Sequence, residues 1–485
     1  MRSRLRLAAG AMLVAFIVAV PTVASALAVR AELTPDERAA GLWYADRMKF
    51  DQIREQGLTG KGITIAVIDS AINLEAPELQ GADIEVRGQF CKNKETGEEP
   101  PAVSTDLARS HGTDVVSMLV GNGVAGDGGV GTRGIVPDAK ILFYAVGLPM
   151  EAQAKDGSAA CEAYNPVTGT FESDDPRESS DTAEWPILDP DALAARQAVE
   201  DGVDVISISR AASVFTSGWE LAQIHAMRAG IPIVASTPNP TGEETYELKL
   251  PFGMNGVVAV GGVDADGNVI RGLNMFGEVA DAEGSSNLAV SGPAFELLSP
   301  SGSEGWGPSL ASGTSIATPL IAGTIALGLE KYPDATAFQV LQSLIRNTGK
   351  VVDAEPVWSG REYGYGIVNP VSMLAVDPTQ YPDENPLFVV SLDDPRCGVN
   401  PADYDDCDWA LMLPVAEDVW PTDSEALSPG TKPGAESGAG ILVLGAAVVA
   451  GLGILATAVI VPIVVVRSKK RRAAEMLADE PTQQV

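Results

Sequence analysis

From Ile63 onward, short runs rich in Val and Ile alternate with longer stretches of helical periodicity. The runs at residues 63–69, 141–146, 204–209, 231–236 and 256–263 read as strands. Residues 111–120, 190–200, 218–229, 315–332 and 336–346 read as helices. Strands that alternate with helices in this way form a parallel sheet covered on both faces, and their crossovers are right-handed almost without exception. The expectation is an α/β fold: a three-layer, doubly wound, mainly parallel sheet. Residues 148–189 break the rhythm with acidic residues, Gly, Ser and Pro, and read as a long surface insertion. No internal repeat is present.

The two ends of the chain follow a different pattern. Arg2, Arg4 and Arg6 precede an apolar run over residues 7–20 and small residues ending at Ala26 and Ala28, the layout of a secretory signal over residues 1–28. Residues 441–466 carry no charge and are long enough to cross a membrane as one C-terminal helix. Arg467, Lys469, Lys470, Arg471 and Arg472 follow it, so the positive-inside rule puts the tail at 467–485 in the cytoplasm and the rest of the chain outside. The expected location is therefore the cell membrane, single-pass, with membrane lipid as a partner. Residues 418–440, rich in Pro, Gly, Ser and Glu, read as a stalk.

Charge narrows the partners. The formal net charge is −32, and much of the basic complement flanks the two apolar ends. Phosphate binding needs Lys and Arg clusters that the exported part lacks, which excludes nucleic acid. Cys91, Cys161, Cys397 and Cys407 all fall in the exported part, where disulfides persist. Three pairings are open; Cys397 with Cys407, closing a short acidic loop, would leave Cys91 with Cys161. No metal-ligand spacing is present, and although acidic loops could hold structural Ca2+, none shows a ligand pattern.

Three segments carry candidate chemistry. Asp69 ends a strand in Ala66-Val67-Ile68-Asp69-Ser70, His111 opens a helix in Ser110-His111-Gly112-Thr113, and Ser315 opens another in Gly313-Thr314-Ser315-Ile316-Ala317-Thr318-Pro319. Serine needs a base to become a nucleophile, and the imidazole needs a partner on its other nitrogen to fix its tautomer. Open α/β sheets place their crevice at the C-terminal ends of the strands, where all three would meet. The chain has only two histidines, so one at a helix start beside Gly-Thr points to chemistry more than packing. His225, inside an amphipathic helix, reads as structural or solvent-facing.

These segments resemble the Asp, His and Ser motifs of the subtilisin-like serine proteases, the subtilases, in that family's order. The resemblance covers roughly residues 50–371 and implies a serine endopeptidase acting on protein or peptide substrates without a cofactor. Asp69, His111 and Ser315 are then the catalytic residues. Asn239, in Val234-Ala235-Ser236-Thr237-Pro238-Asn239, inherits the oxyanion role, and Ser209, Arg210 and Ala211 fall in the substrate-binding segment. The implied organisation is a short N-terminal extension at 29–49, a peptidase domain at 50–376 and a Cys-containing C-terminal extension at 377–417. The extension at 29–49 is too short for a folded pro-domain, and residues 33–44 are expected to wrap the catalytic surface.

Several positions depart from the family pattern. Ala71 stands where glycine is usual, Val116 where a small residue is, and Pro238 where glycine precedes the oxyanion asparagine. Arg210 replaces an apolar residue; facing the cleft, it would favour an acidic substrate residue on the non-prime side. Within the family, a signal, a short N-terminal extension, a Cys-bearing insertion and a C-terminal membrane helix resemble the mycosins of type VII secretion. That resemblance implies secretion-complex membrane proteins as partners. The alternative it raises is a docking component whose proteolysis is dispensable.

Overall fold

A computed structural model of the chain describes residues 32–93, 96–147, 162–171, 189–210, 217–239, 251–270, 287–302, 305–349, 351–391, 393–397 and 413–420. Among them no helix is long and apolar enough to cross a membrane. The expected signal at 1–28, the stalk beyond residue 420, the membrane helix at 441–466 and the tail lie outside the described residues, as do Cys161, Ala211, Cys407 and most of the insertion at 148–189.

Seven strands form the central sheet: β1 (Thr64–Asp69), β2 (Ile84–Gln89), β3 (Lys140–Ala145), β4 (Val205–Ile208), β5 (Ile233–Ser236), β6 (Val258–Val263) and β7 (Leu288–Pro293). Their spatial order is β7-β6-β5-β4-β1-β3-β2, and every neighbouring pair is parallel. The chain starts at β1, places β2 at one edge and β3 between them, then returns to build β4 to β7 on the other side. β1 and β4 therefore flank the point of reversal, and their C-terminal ends open the crevice.

Two cores follow from the period of the strands. Ile65 and Val67 of β1 face one side with Phe143, Val234, Val258 and Val260. Helices α1 (His111–Val120), α4 (Thr314–Lys331) and α5 (Ala337–Arg346) cover that side. Ala66 and Ile68 face the other, where α2 (Pro190–Glu200) and α3 (Ser217–Ala229) lie. Each Val or Ile fully buried in these layers contributes about 1.5–3 kcal/mol. The α2 N-terminus is fixed by Asp189, whose carboxylate accepts from the Asp191 and Ala192 N–H groups while Pro190 occupies the first turn.

The three-layer α/β expectation holds, and all five expected strands and five expected helices form with small shifts at their ends. β2 and β7 were not expected. Both are edge strands: β2 carries charges bound on its flank, Lys140 to Glu85 and Arg87 to Asp201, and β7 ends in Ser291-Gly292-Pro293, residue types common in turns. Proline is tolerated there because an edge strand needs no ladder donor on its outer side. The Pro-, Gly- and Ser-rich residues before Ser315 are likewise an antiparallel hairpin, Leu297–Gly302 against Gly305–Ala311.

The N-terminal described residues form short helices, Pro35–Ala40, Trp43–Arg47 and Phe50–Glu55, that pack on the domain. Trp43 Nε1 donates to Phe295 O at 3.0 Å, and Arg38 pairs with Asp127. Residues after 376, expected as a separate extension, begin as part of the same core: Leu387, Phe388 and Val389 are buried, and Val389 exchanges hydrogen bonds with Asn255. Cys91 and Cys397 are both disulfide-bonded. Lys92 pairs across a short sheet with Glu162, the residue after Cys161.

Candidate active site

The register of the sheet sets the site. Ile68 of β1 pairs with Ile208 of β4, so Asp69 emerges beside Ser209 and Arg210. Asp69 is fully buried. The Ser70 N–H donates to its Oδ1 at 2.7 Å. His111 Nδ1 lies 3.0 Å from Asp69 Oδ1 and 2.9 Å from Oδ2. A carboxylate only accepts, so Nδ1 carries the proton and the outward Nε2 is left as the basic nitrogen.

Gly112 explains how His111 reaches this place. A Cβ there would sit 2.3 Å from Ala71 O and 2.8 Å from Phe143 Cζ, so only glycine lets α1 start against the end of β1. Ala71, fully buried, is not among the residues at positive φ. The alanine in place of glycine therefore costs no backbone strain.

Electrostatics shift the two groups in opposite directions. Burial alone would push the Asp69 carboxyl up, but the charge and hydrogen bond of His111, with Arg210 and the Ser70 N–H, hold it below the ordinary range. Burial alone would depress His111; the Asp69 charge and hydrogen bond, with Asp114, raise it instead. The two shifts share one cause, the attraction between imidazolium and carboxylate.

Ser315 sits in the first turn of α4, after Gly313 at φ 150°. A Cβ on Gly313 would stand 3.2 Å from Asn239 Oδ1, 3.3 Å from Asn239 Nδ2 and 3.3 Å from Ser315 Oγ. The serine hydroxyl and the asparagine amide thus flank the same small space. Asn239 Oδ1 accepts from the Thr314 N–H at 2.9 Å and from Thr314 Oγ1 at 3.2 Å, which leaves Nδ2 as the donor end. Pro238 is exposed and does not disturb this arrangement.

Pro319 gives the side chain of Ser209 a structural part. A proline in a helix cannot donate to the carbonyl four residues back, here that of Ser315. Ser209 Oγ donates to Ser315 O at 2.7 Å in its place. Ser209, 5% exposed, is therefore a clamp on the serine-bearing turn. Ser209→Ala should leave a buried carbonyl unpaired and cost about 1–3 kcal/mol of stability. Equilibrium urea unfolding checks it, and an unchanged midpoint would show that the clamp contributes nothing.

Arg210 is paired with a carboxylate of the chain itself. Its Nε lies 3.1 Å from Asp191 Oδ1, with the two side chains 23% and 15% exposed. Asp191 already supplies the anion that the cleft-facing reading assigned to a substrate.

Sequence reasoning missed Asp114, one turn along α1 from His111. Ser299 Oγ and Ser301 Oγ of the hairpin donate to it at 2.7 Å each. Burial pushes its carboxyl up to about 6 despite these bonds. Burial also raises Asp189 and Asp191. No signal in the sequence marks the hairpin that brings the serines to Asp114.

These raised groups predict a pH dependence. A group with a folded pKa above its unfolded one stabilises fully below the unfolded value and loses that contribution as pH rises through the folded value. Asp114, Asp189, Asp191 and His111 all have this sign, so Tm should fall between about pH 5 and pH 8, measured by a thermal melt series. Groups held low, such as Asp69 and Asp127, change only at lower pH. A Tm that rises through this window would contradict the assignment.

Comparison with known proteins shows the family. The model of the subtilase family, Peptidase_S8, matches residues 60–366. Serine protease AprX of Bacillus subtilis (strain 168) is 28% identical over 334 residues, covering 65% of this chain and 66% of AprX. Subtilisin DY of Bacillus licheniformis is 25% identical over 325 residues, covering 66% of this chain and 94% of that protein. The crystal structure of MycP1 from Mycobacterium smegmatis superposes with a TM-score of 0.45 at 19% identity, covering 72% of this chain and 86% of that one. The family assignment does not rest on that superposition.

Proposed function

Since the chain belongs to the subtilase family, we propose that it is a serine endopeptidase in which Ser315, His111 and Asp69 perform acyl transfer from a peptide to water. The observation that carries this is the Nδ1 contact of His111 with a fully buried Asp69 at 2.9 Å, which leaves Nε2 basic. Ser315 Oγ attacks the peptide carbonyl while His111 Nε2 takes its proton. Asn239 Nδ2 and the Ser315 N–H, at the positive end of the long α4 helix, stabilise the oxyanion. His111 then returns the proton to the leaving amine, and a water repeats the sequence on the acyl-enzyme. The steps use only groups of the chain, with no cofactor.

The same reading extends to place. The uncharged residues 441–466 and the basic residues that follow support a single-pass anchor with the protease outside and membrane lipid as its partner. Short flanking segments and a Cys-bearing insertion support a selective processing enzyme of the mycosin kind, working with the membrane proteins of a secretion complex. Cys91 with Cys161 and Cys397 with Cys407 complete this proposal; the bonded state of Cys91 and Cys397 supports it.

A docking component with dispensable proteolysis is the competing reading. Cells expressing Ser315→Ala separate the two: secretion and substrate processing are both lost if the protein acts as an enzyme. Secretion that persists while processing stops assigns it a scaffold role.

A further inference from the structure

The Asp69–His111 pair is approached by a cation that the acyl-transfer steps do not use. β4 ends beside β1, with Ile208 level with Ile68, so the chain leaves β4 past Asp69. Ser209 turns to Ser315, and Arg210 turns to the start of α2, where Asp191 holds its Nε at 3.1 Å. The guanidinium is largely buried. An Arg fixed on one side by a carboxylate cannot swing away without leaving a buried charge unpaired.

We propose that Arg210 is a positioning residue for the reaction: clamped by Asp191, its fixed charge competes with His111 for the field of Asp69 and so sets how basic the imidazole is. This rests on the reading of His111 as the base. Burial apart, the charge of Arg210 acts to lower both Asp69 and His111. The groups around the imidazole are then two anions, Asp69 from β1 and Asp114 from its own helix, and one cation, Arg210, beyond β4. Asp191 and Asp189 of the α2 start act through Arg210. Ser299 and Ser301 from the hairpin are neutral. The cation offsets the anions, which by themselves favour the protonated imidazole, the form that cannot accept the Ser315 proton.

Opposite substitutions should therefore move the base in opposite directions. In the full chain in detergent, the pH dependence of inactivation by a fluorophosphonate reports the basic nitrogen as the acidic limb of the profile. Arg210→Gln should move that limb to higher pH and Asp191→Asn to lower pH, while Arg210→Lys keeps it near the wild type. The double variant Arg210→Met with Asp191→Leu removes both charges without isolating one, and should also move the limb upward. Nitrogen-15 NMR of the chain's two histidines follows the His111 ring without requiring turnover, and its titration should move in step. Identical limbs and identical ring titrations in all variants, with only KM altered, would overturn the proposal. A wild-type chain that shows no Ser315-dependent inactivation would instead sink the acyl-transfer reading, while the NMR titrations still judge the role of Arg210.

Discussion

Ser315→Ala should lower peptide hydrolysis by about a millionfold, the scale seen when the nucleophile of another subtilase is removed. The serine is the only group of the site that forms a bond to the substrate carbon. Without it the oxyanion donors, Asn239 Nδ2 and the helix N–H groups, still bind and polarise the carbonyl. A residual acceleration of roughly 10³–10⁴ over water should therefore survive. Folding should not change, because Ser315 is only partly buried and the clamp from Ser209 reaches its carbonyl, which alanine retains. Steady-state hydrolysis of a peptide library, with circular dichroism as the control, measures both. A variant that keeps more than about one-hundredth of the activity would contradict nucleophilic catalysis.

Asp69→Asn should cost about 10⁴-fold in kcat. The carboxylate accepts from His111 Nδ1 through both oxygens. An asparagine amide in the same place presents a donor, so the ring turns its proton to Nε2 and can no longer act as a base. The shape of the site is unchanged, and KM should change little. The pH profile gives a second readout with a definite sign. Asp69 raises His111 in the folded protein, so its loss should shift the His111 titration to lower pH. A variant whose histidine titrates as in the wild type would place the control of the imidazole elsewhere, with Asp114 the first candidate.

Much of this site is legible in the sequence because its residues are fixed by local backbone needs. Gly112 must be small to approach Ala71, Gly313 must adopt a positive φ, and Pro319 can be tolerated only where a carbonyl finds another donor. Each of these leaves a mark next to the residue that does chemistry. The buried strands are legible for a similar reason, since β1, β3 and β4 are covered on both faces and run continuously apolar.

What escaped depends on distant partners. β2 reads as polar because Glu85 and Arg87 find Lys140 and Asp201 on other elements. Arg210 reads as a cleft cation because Asp191 lies 19 residues away at the start of a helix. Asp114 reads as a solvated turn of α1 because the serines that bury it are 185 and 187 residues further on. A pattern read within one window has no access to such pairs. The register of β1 against β4 and the course of the hairpin before Ser315 create them.

The central claim is that Ser315 is the nucleophile activated by His111. The most direct test treats the full chain with a fluorophosphonate and locates the adduct by peptide mass spectrometry. The account predicts a single phosphonylated residue, Ser315, with labelling lost in both Ser315→Ala and His111→Gln. An adduct on another residue, or labelling of Ser315 that is as fast in His111→Gln as in the wild type, would contradict it.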